Sequence, residues 1–280
     1  MGSGLTCLCC HRRLVLHGAV ASVAGIGLLT VPAFARDGVE VGKNSVFTNL
    51  VSAETVEVSA AQQYNKMLQQ AASQGALGGK DHPQVRRLRS IASKIIPNAL
   101  SWNPRAANWR WEVNLIGSKQ INAFCMPGGK IAFYSGILEQ LKLTDDEVAT
   151  VMGHEVAHAL REHARERMGK NAATSVGANL LSGVLGLGQL GQTVTSYGAQ
   201  LLTLQFSRSD ESEADLVGME LAARSGFDPR AGVTLWQKMA AASKGAPPQW
   251  LSTHPSGNTR IADIQANLPK VLPLYQRAAG

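Results

Sequence analysis

Polar and apolar positions along this chain change their period several times, and each change marks an element. From Glu54 to about Ser73 apolar residues recur at helical spacing, and GALGG at 75–79 ends that helix. A second helix is predicted from about Pro83 to Ile96. NWRWEVNLIG then alternates. Trp109, Trp111, Val113 and Leu115 fall on one side, and Arg110, Glu112 and Asn114 on the other, as in a half-buried strand. INAFCMPGGKIAFYSG reads as two short strands joined by a hairpin at Pro127, Gly128 and Gly129. TDDE at 144–147 is a capping box, and the helix it opens is expected to run through His154 and His158 to about Met168. Residues 169–204 are rich in Gly, Ala and Leu and are expected to be helical in pieces. Further helices are predicted at 207–225, 229–243 and 256–268. A small sheet early and helices late give an α+β fold that is mainly helical. No internal repeat and no splitting linker is visible. Residues 36–75 read as an N-terminal extension carrying one helix, and 76–280 as one domain.

The first 35 residues break this pattern. A polar start ends in Arg12 and Arg13, an apolar run without Asp, Glu, Lys or Arg follows, and Ala33-Phe34-Ala35 closes it. Charged start, apolar middle and small-residue exit are the layout of a secretory signal peptide. The competing reading is an uncleaved anchor, since the run is about long enough to span a bilayer. Weaker matches are the twin arginines as an export signal and the N-terminal MGSGLT as an acylation site. Three of the four cysteines lie in this segment, so the remainder keeps Cys125 alone and can close no internal disulfide. Any metal there must be held by His and carboxylates. The formal charge of +7 permits attraction to anionic surfaces.

One stretch carries chemistry: VMGHEVAHALREH, from Val151 to His163. His154 and His158 are four residues apart, hence on one helical face and close enough to share an ion. Imidazole suits Zn²⁺, and H-E-x-x-H is its hydrolase arrangement, with Glu155 beside the metal to take a proton from water. A third ligand must come from elsewhere, because His163 lies five residues on and points about 140° away on a continuous helix. SRSDESEADLVGMELA offers Glu211 and Asp215, one helical turn apart. One carboxylate can complete the metal set and the other can receive a ligand's free ring N–H. Glu213 is two residues from Glu211 and points elsewhere. Spacing alone leaves an ordinary acidic surface equally open.

GHEVAH followed by ESEADLVG resembles the zinc metallopeptidases that include the CAAX prenyl proteases, the HtpX-type proteases and periplasmic quality-control peptidases of bacteria. INAFCMPGGKIAFYSGIL resembles the strand pair ahead of their zinc helix, and STHPSGNTRIADI their C-terminal His-Pro segment. The matches fall in the family's order over about 85–270 and come nearest to the soluble periplasmic members. The resemblance implies a gluzincin fold whose small sheet flanks the active-site cleft. It implies one zinc ion, held by His154, His158 and Glu211, with Glu155 as general base and Asp215 supporting a ligand. His254 is expected near the metal, as oxyanion or proton donor or as an occupant of the open position in a resting state. Arg260 is expected to hold that loop or the substrate. If Asn122, Ala123 and Phe124 form an edge strand, an extended peptide can add to it through main-chain hydrogen bonds. Cys125 reads as a packing residue.

GLGQLG at 186–191 matches a dinucleotide fingerprint but lacks the preceding strand and βαβ context, and is set aside. The segment from Gly177 to Leu190 reads as a mobile apolar flap over the cleft, as a membrane-touching patch or as a tightly packed helical hairpin. Basic residues at 86–89 and from Arg161 to Lys170 read as solvated helix faces, with lipid headgroups the next possibility and nucleic acid not expected. The expectation is an exported zinc endopeptidase of the bacterial periplasm, with peripheral membrane contact in view. Its expected partners are misfolded or unassembled envelope proteins. The alternative is a chaperone-like binder of unfolded envelope proteins with a latched or structural zinc site.

Overall fold

The computed structural model describes residues 37–182, 200–201, 203–243, 248–255 and 259–280. The signal layout at 1–35, GLGQLG and most of the Gly177–Leu190 segment lie outside the described residues.

Three strands form one sheet: β1 (Glu112–Ile116), β2 (Ala123–Met126) and β3 (Lys130–Tyr134), in the order β1-β3-β2. β2 and β3 are the expected antiparallel hairpin, with Phe124 opposite Ala132. Gly128 and Gly129 turn it at positive φ, a conformation that costs glycine nothing. β1 pairs with β3 in parallel, Val113 opposite Ile131. The alternating stretch is shorter as a strand than as a pattern. Trp109 and Trp111 precede β1, and Trp111 covers the hairpin turn at Gly129.

The period-2 pattern sorts the two faces of the sheet. Met126, Ala132 and Ile116 face α1 (Ala53–Ser73), against Ala60 and Tyr64. The Tyr64 hydroxyl donates to the Ile131 carbonyl at 2.5 Å and fastens that layer. Cys125, Ile131, Phe133, Val113 and Leu115 face the main core with α2 (Pro83–Ile95) and α4 (Asp145–Leu160). Between sheet and α4 lies α3 (Ser135–Gln140), a short helix the pattern did not mark.

α4 opens on the predicted capping box. The Glu147 backbone N–H donates to the Thr144 hydroxyl, and the Glu147 carboxylate accepts from the Thr144 backbone. From Glu147 to Leu160 nearly every residue is buried, so this is the central helix. It ends at Leu160, not at Met168. Glu162 adopts a left-handed φ of 57°, held by side-chain bonds with Arg165 and Asn44. A new helix, α5 (His163–Ser182), starts at once. Nothing in the sequence marks this corner with a glycine, since tertiary partners hold Glu162 in a backbone state that costs a non-glycine residue about 1 kcal/mol.

Four helices complete the fold: α6 (Arg208–Arg224), α7 (Ala231–Ala242), α8 (Gln249–Thr253) and α9 (Arg260–Ala279). α9 runs past the predicted end at 268. Pro269 and Pro273 lie inside it, both on the exposed side, while Ile264, Val271 and Leu274 keep the other side buried. Burial of that stripe outweighs the lost backbone bonds. No described helix is long and apolar enough to cross a membrane. Ahead of α1, the segment from Asp37 straps the helices. Val39 donates its N–H to the buried Glu220 carboxylate, and Arg161 of the α4–α5 corner donates to the Gly42 carbonyl.

Candidate metal centre

α4 and α6 cross at backbone contact. A Cβ on Gly153 would lie 2.6 Å from the Gly218 carbonyl oxygen, and one on Gly218 would lie 2.5 Å from the His154 nitrogen. Two glycines therefore let the helices touch directly beside His154. That closeness brings the acidic face of α6 to the histidine face of α4.

At the crossing His154 and His158 turn their Nε2 atoms toward each other at 3.0 Å. Glu211 Oε1 lies 3.3 Å from His158 Nε2, and Glu211 Oε2 lies 3.6 Å from His154 Nε2. His254, directly after α8, joins them: one atom from each of His154, His158, Glu211 and His254 falls within 4.8 Å of the others. All four side chains are buried. Among the described residues Glu211 Oε1 and His254 Nε2 have no hydrogen-bond partner, although both are sealed from solvent. Burial also depresses the pKa of each of the three imidazoles and pushes the Glu211 carboxyl up to about 8, against the pull of Arg260. Neutral imidazoles with inward lone pairs and orphaned carboxylate and imidazole atoms make a donor set that fits a divalent cation, and three nitrogens with one oxygen suit zinc.

The surroundings are built to hold these atoms. Asp215 Oδ1 receives His154 Nδ1–H at 3.0 Å, which turns the Nε2 lone pair inward. Arg260 donates at 2.6 Å to Glu211 Oε2 and to both oxygens of Asp215, and its guanidinium lies 3.7 Å from the centre of the Trp236 ring. Arg260, expected to hold the loop or the substrate, is seen bonded to the carboxylates of α6. The side chain is 3% exposed and its charge is committed to the carboxylates behind the histidines. On the other flank Phe206 stacks on His158, ring centres 4.0 Å apart, and Trp250 stacks on His254.

Glu155 projects from α4 beside the cluster. Burial pushes its carboxyl well above the usual range, against a Trp250 indole N–H at 2.6 Å and the Cys125 backbone N–H. His254 Nε2 is 3.6 Å from Glu155 Oε1. The cleft in front is lined by Asn122, Ala123, Phe124, Glu155, His158 and His254. The three residues named from sequence, Asn122 just ahead of β2 and Ala123 and Phe124 within it, line the opening. Ala123 points into the core, however, and Phe124 packs edge-on to Tyr64, so what this stretch offers the cleft is largely backbone.

Sequence reasoning missed three groups. Trp250 carried no signal beyond its place four residues ahead of His254. His163 and Glu213 had been turned away because a straight helix and simple spacing sent them elsewhere. After the corner at Glu162, His163 Nδ1 lies 2.8 Å from His158 Nδ1, and its Nε2 is 3.1 Å from Glu213 Oε2. His163 lies outside the group of His154, His158, Glu211 and His254 but touches one of its members.

Comparison with known proteins agrees with this geometry. The sequence pattern of Peptidase family M48 matches residues 82–268. The chain is 39% identical over 192 residues to the mitochondrial metalloendopeptidase OMA1 of Schizosaccharomyces pombe, covering 68% of this chain and 54% of that protein. It is 41% identical over 168 residues to OMA1 of Arabidopsis thaliana, covering 59% and 34%. It is 30% identical over 210 residues to the beta-barrel assembly-enhancing protease of Yersinia pestis, covering 68% and 43%. The matches thus span between 34% and 54% of the length of these relatives. With the pattern matched across the sheet, the histidine helix, the acidic helix and the His254 segment, the chain belongs to peptidase family M48, whose metallopeptidases use zinc.

Proposed function

We propose that this chain is a zinc endopeptidase that cuts extended or unfolded segments of cell-envelope proteins. The observation that carries the reading is the convergence of His154, His158 and Glu211 with Glu155 at the mouth of a cleft bordered by β2. Bound zinc supplies a Lewis acid that polarises a carbonyl and eases the deprotonation of water. Glu155, beside the cluster on α4, takes the proton of the attacking water and passes it to the leaving amine. Trp250 holds that carboxylate in place, and His254, 3.6 Å away, meets developing negative charge once its Nε2 carries a proton. Arg260 and Asp215 fix the ligands from behind.

Among the described residues β2 is an edge strand with β3 as its one partner, and its other side borders the cleft. An extended chain added there is held by main-chain bonds, so selection falls on unfolded conformation more than on side chains. An exported protein with this selectivity meets misfolded or unassembled envelope proteins. The signal layout at 1–35 supports export, and the Yersinia pestis relative is named for β-barrel assembly.

A second reading rests on His254. Because it joins the cluster, it is able to occupy the position that water needs, which leaves a binder of unfolded chains until that side chain moves. Digestion of a denatured protein by residues 36–280 tests both readings. Cleavage that a chelator stops and zinc restores supports the peptidase. Absence of cleavage by zinc-loaded wild type, with cleavage by His254→Ala, supports the latched form; absence in both contradicts the peptidase.

A further inference from the structure

The two zinc-facing histidines are supported in different ways. His154 gives its Nδ1–H directly to a carboxylate, Asp215. His158 meets no carboxylate on that side: its Nδ1 faces His163 Nδ1 at 2.8 Å. Its Nε2 looks into the cluster, so a lone pair there requires the hydrogen to sit on Nδ1. His158 must then be the donor and His163 Nδ1 the acceptor. His163 in turn carries its own hydrogen on Nε2, which faces Glu213 Oε2 at 3.1 Å. The other carboxylate oxygen, Oε1, accepts from Arg161 at 2.6 Å, and Arg161 is tied to the Gly42 carbonyl. Every hydrogen in the chain from Arg161 to His158 thus has one permitted position. His163 is 1% exposed, so no solvent competes for it.

We propose that His163 is a positioning residue for zinc, fixing the ring and the tautomer of His158 by relaying the Glu213 carboxylate through a second imidazole. Its place depends on the corner at Glu162. On a continued α4 the ring would point away, and the left-handed turn returns it to the ligand one helix later. Phe206 closes the opposite face of the His158 ring, so His158 is held by stacking on one side and by the relay at its edge. Partners of this kind typically contribute about 10- to 100-fold in metal affinity.

The proposal rests on the zinc reading of the site, and the test separates the two. Zinc dissociation constants are measured by chelator competition for wild type, His163→Leu, His163→Asn and Glu213→Gln, with the melting temperature of each metal-free protein. Leu fills the space without an acceptor, whereas Asn presents an oxygen near the place of Nδ1. The expected result is about 10- to 100-fold weaker zinc binding in His163→Leu, most of it recovered in His163→Asn, and a smaller loss of the same sign in Glu213→Gln. Wild-type affinity in His163→Leu, or equal loss in Leu and Asn, overturns the proposal, since packing alone would then account for the residue. Should the Leu protein fail to fold, Glu213→Gln decides: weaker zinc at an unchanged melting temperature supports the relay, and wild-type affinity overturns it. Wild type that binds no zinc removes the zinc reading itself, and the relay with it.

Discussion

At the scale of single residues, the same atoms that make this centre a metal site make it costly without one. Glu211 Oε1 and His254 Nε2 are buried with no partner among the described residues, and leaving such groups unmet costs about 1–3 kcal/mol each. The residues the sequence marked were those with a short-range signature. His154, Glu155 and His158 are set by helical spacing, and Glu211 and Asp215 by the same rule on another helix. Residues whose role is created by a distant contact carried no such mark. Trp250 finds Glu155 across 95 positions, and Arg260 finds Asp215 across 45. Cys125 is the residue-scale test of the sheet's packing. Burial raises its thiol well above the ordinary value, and it faces the core beside Ile131. A neutral, covered thiol is unreactive. Iodoacetamide should leave residues 36–280, which carry Cys125 as their one cysteine, unlabelled when native and label them once after denaturation, read by mass spectrometry. Rapid native labelling would mean that β2 opens.

At the scale of elements, the decisive feature is how closely α4 and α6 approach. Gly153 and Gly218 were read as part of two motifs, but neither pattern says that the two glycines meet. That is a property of the crossing, invisible to periodicity on either helix alone. Gly218→Ala puts a methyl 2.5 Å from the His154 backbone nitrogen, and the helices must part. The expected cost is about 1–3 kcal/mol of stability, with zinc lost from the purified protein because Glu211 moves away from His154. Thermal unfolding with metal analysis checks both. The start of α4 was fully legible, because a capping box is local. Its end was not, because the left-handed Glu162 is held jointly by Arg165, three residues on, and by the distant Asn44. Glu147 does more than cap: Lys238 and Thr234 also bond to it. Burial works to raise its pKa, and these bonds with the Thr144 backbone outweigh it and hold it below the ordinary value of 4.5. The sign follows. The Glu147 contribution is complete above the ordinary carboxylate pKa and disappears as pH falls through the depressed one. Glu147→Gln should cost about 1–2 kcal/mol near neutral pH and progressively less in acid. Urea unfolding across pH reads this directly, and a difference that grew in acid would contradict it.

At the scale of the whole molecule, the fold is a device for bringing five segments to one point. α4 brings two histidines and the base, α6 two carboxylates, α8 Trp250 with His254 after it, α9 the arginine behind them, and β2 an open edge in front. The α+β class and the order of elements were legible because each element follows its own period. The parallel pairing of β1 with β3 was not, since two strands separated by a hairpin carry no mark of their relative direction. The N-terminal strap was equally hidden, because its bonds are backbone groups reaching Glu220 and Arg161. What the assembly would accomplish is hydrolysis driven by Glu155, and that is the central claim. The most direct measurement pairs wild type with Glu155→Gln, a change of one oxygen to nitrogen that leaves the four zinc-facing atoms untouched. Zinc content and cleavage of a denatured protein are read on the same samples. About one zinc per chain is expected in both proteins, with the cleavage seen in wild type reduced by at least about 100-fold in the variant. Equal cleavage by the two, with zinc bound in each, would contradict it.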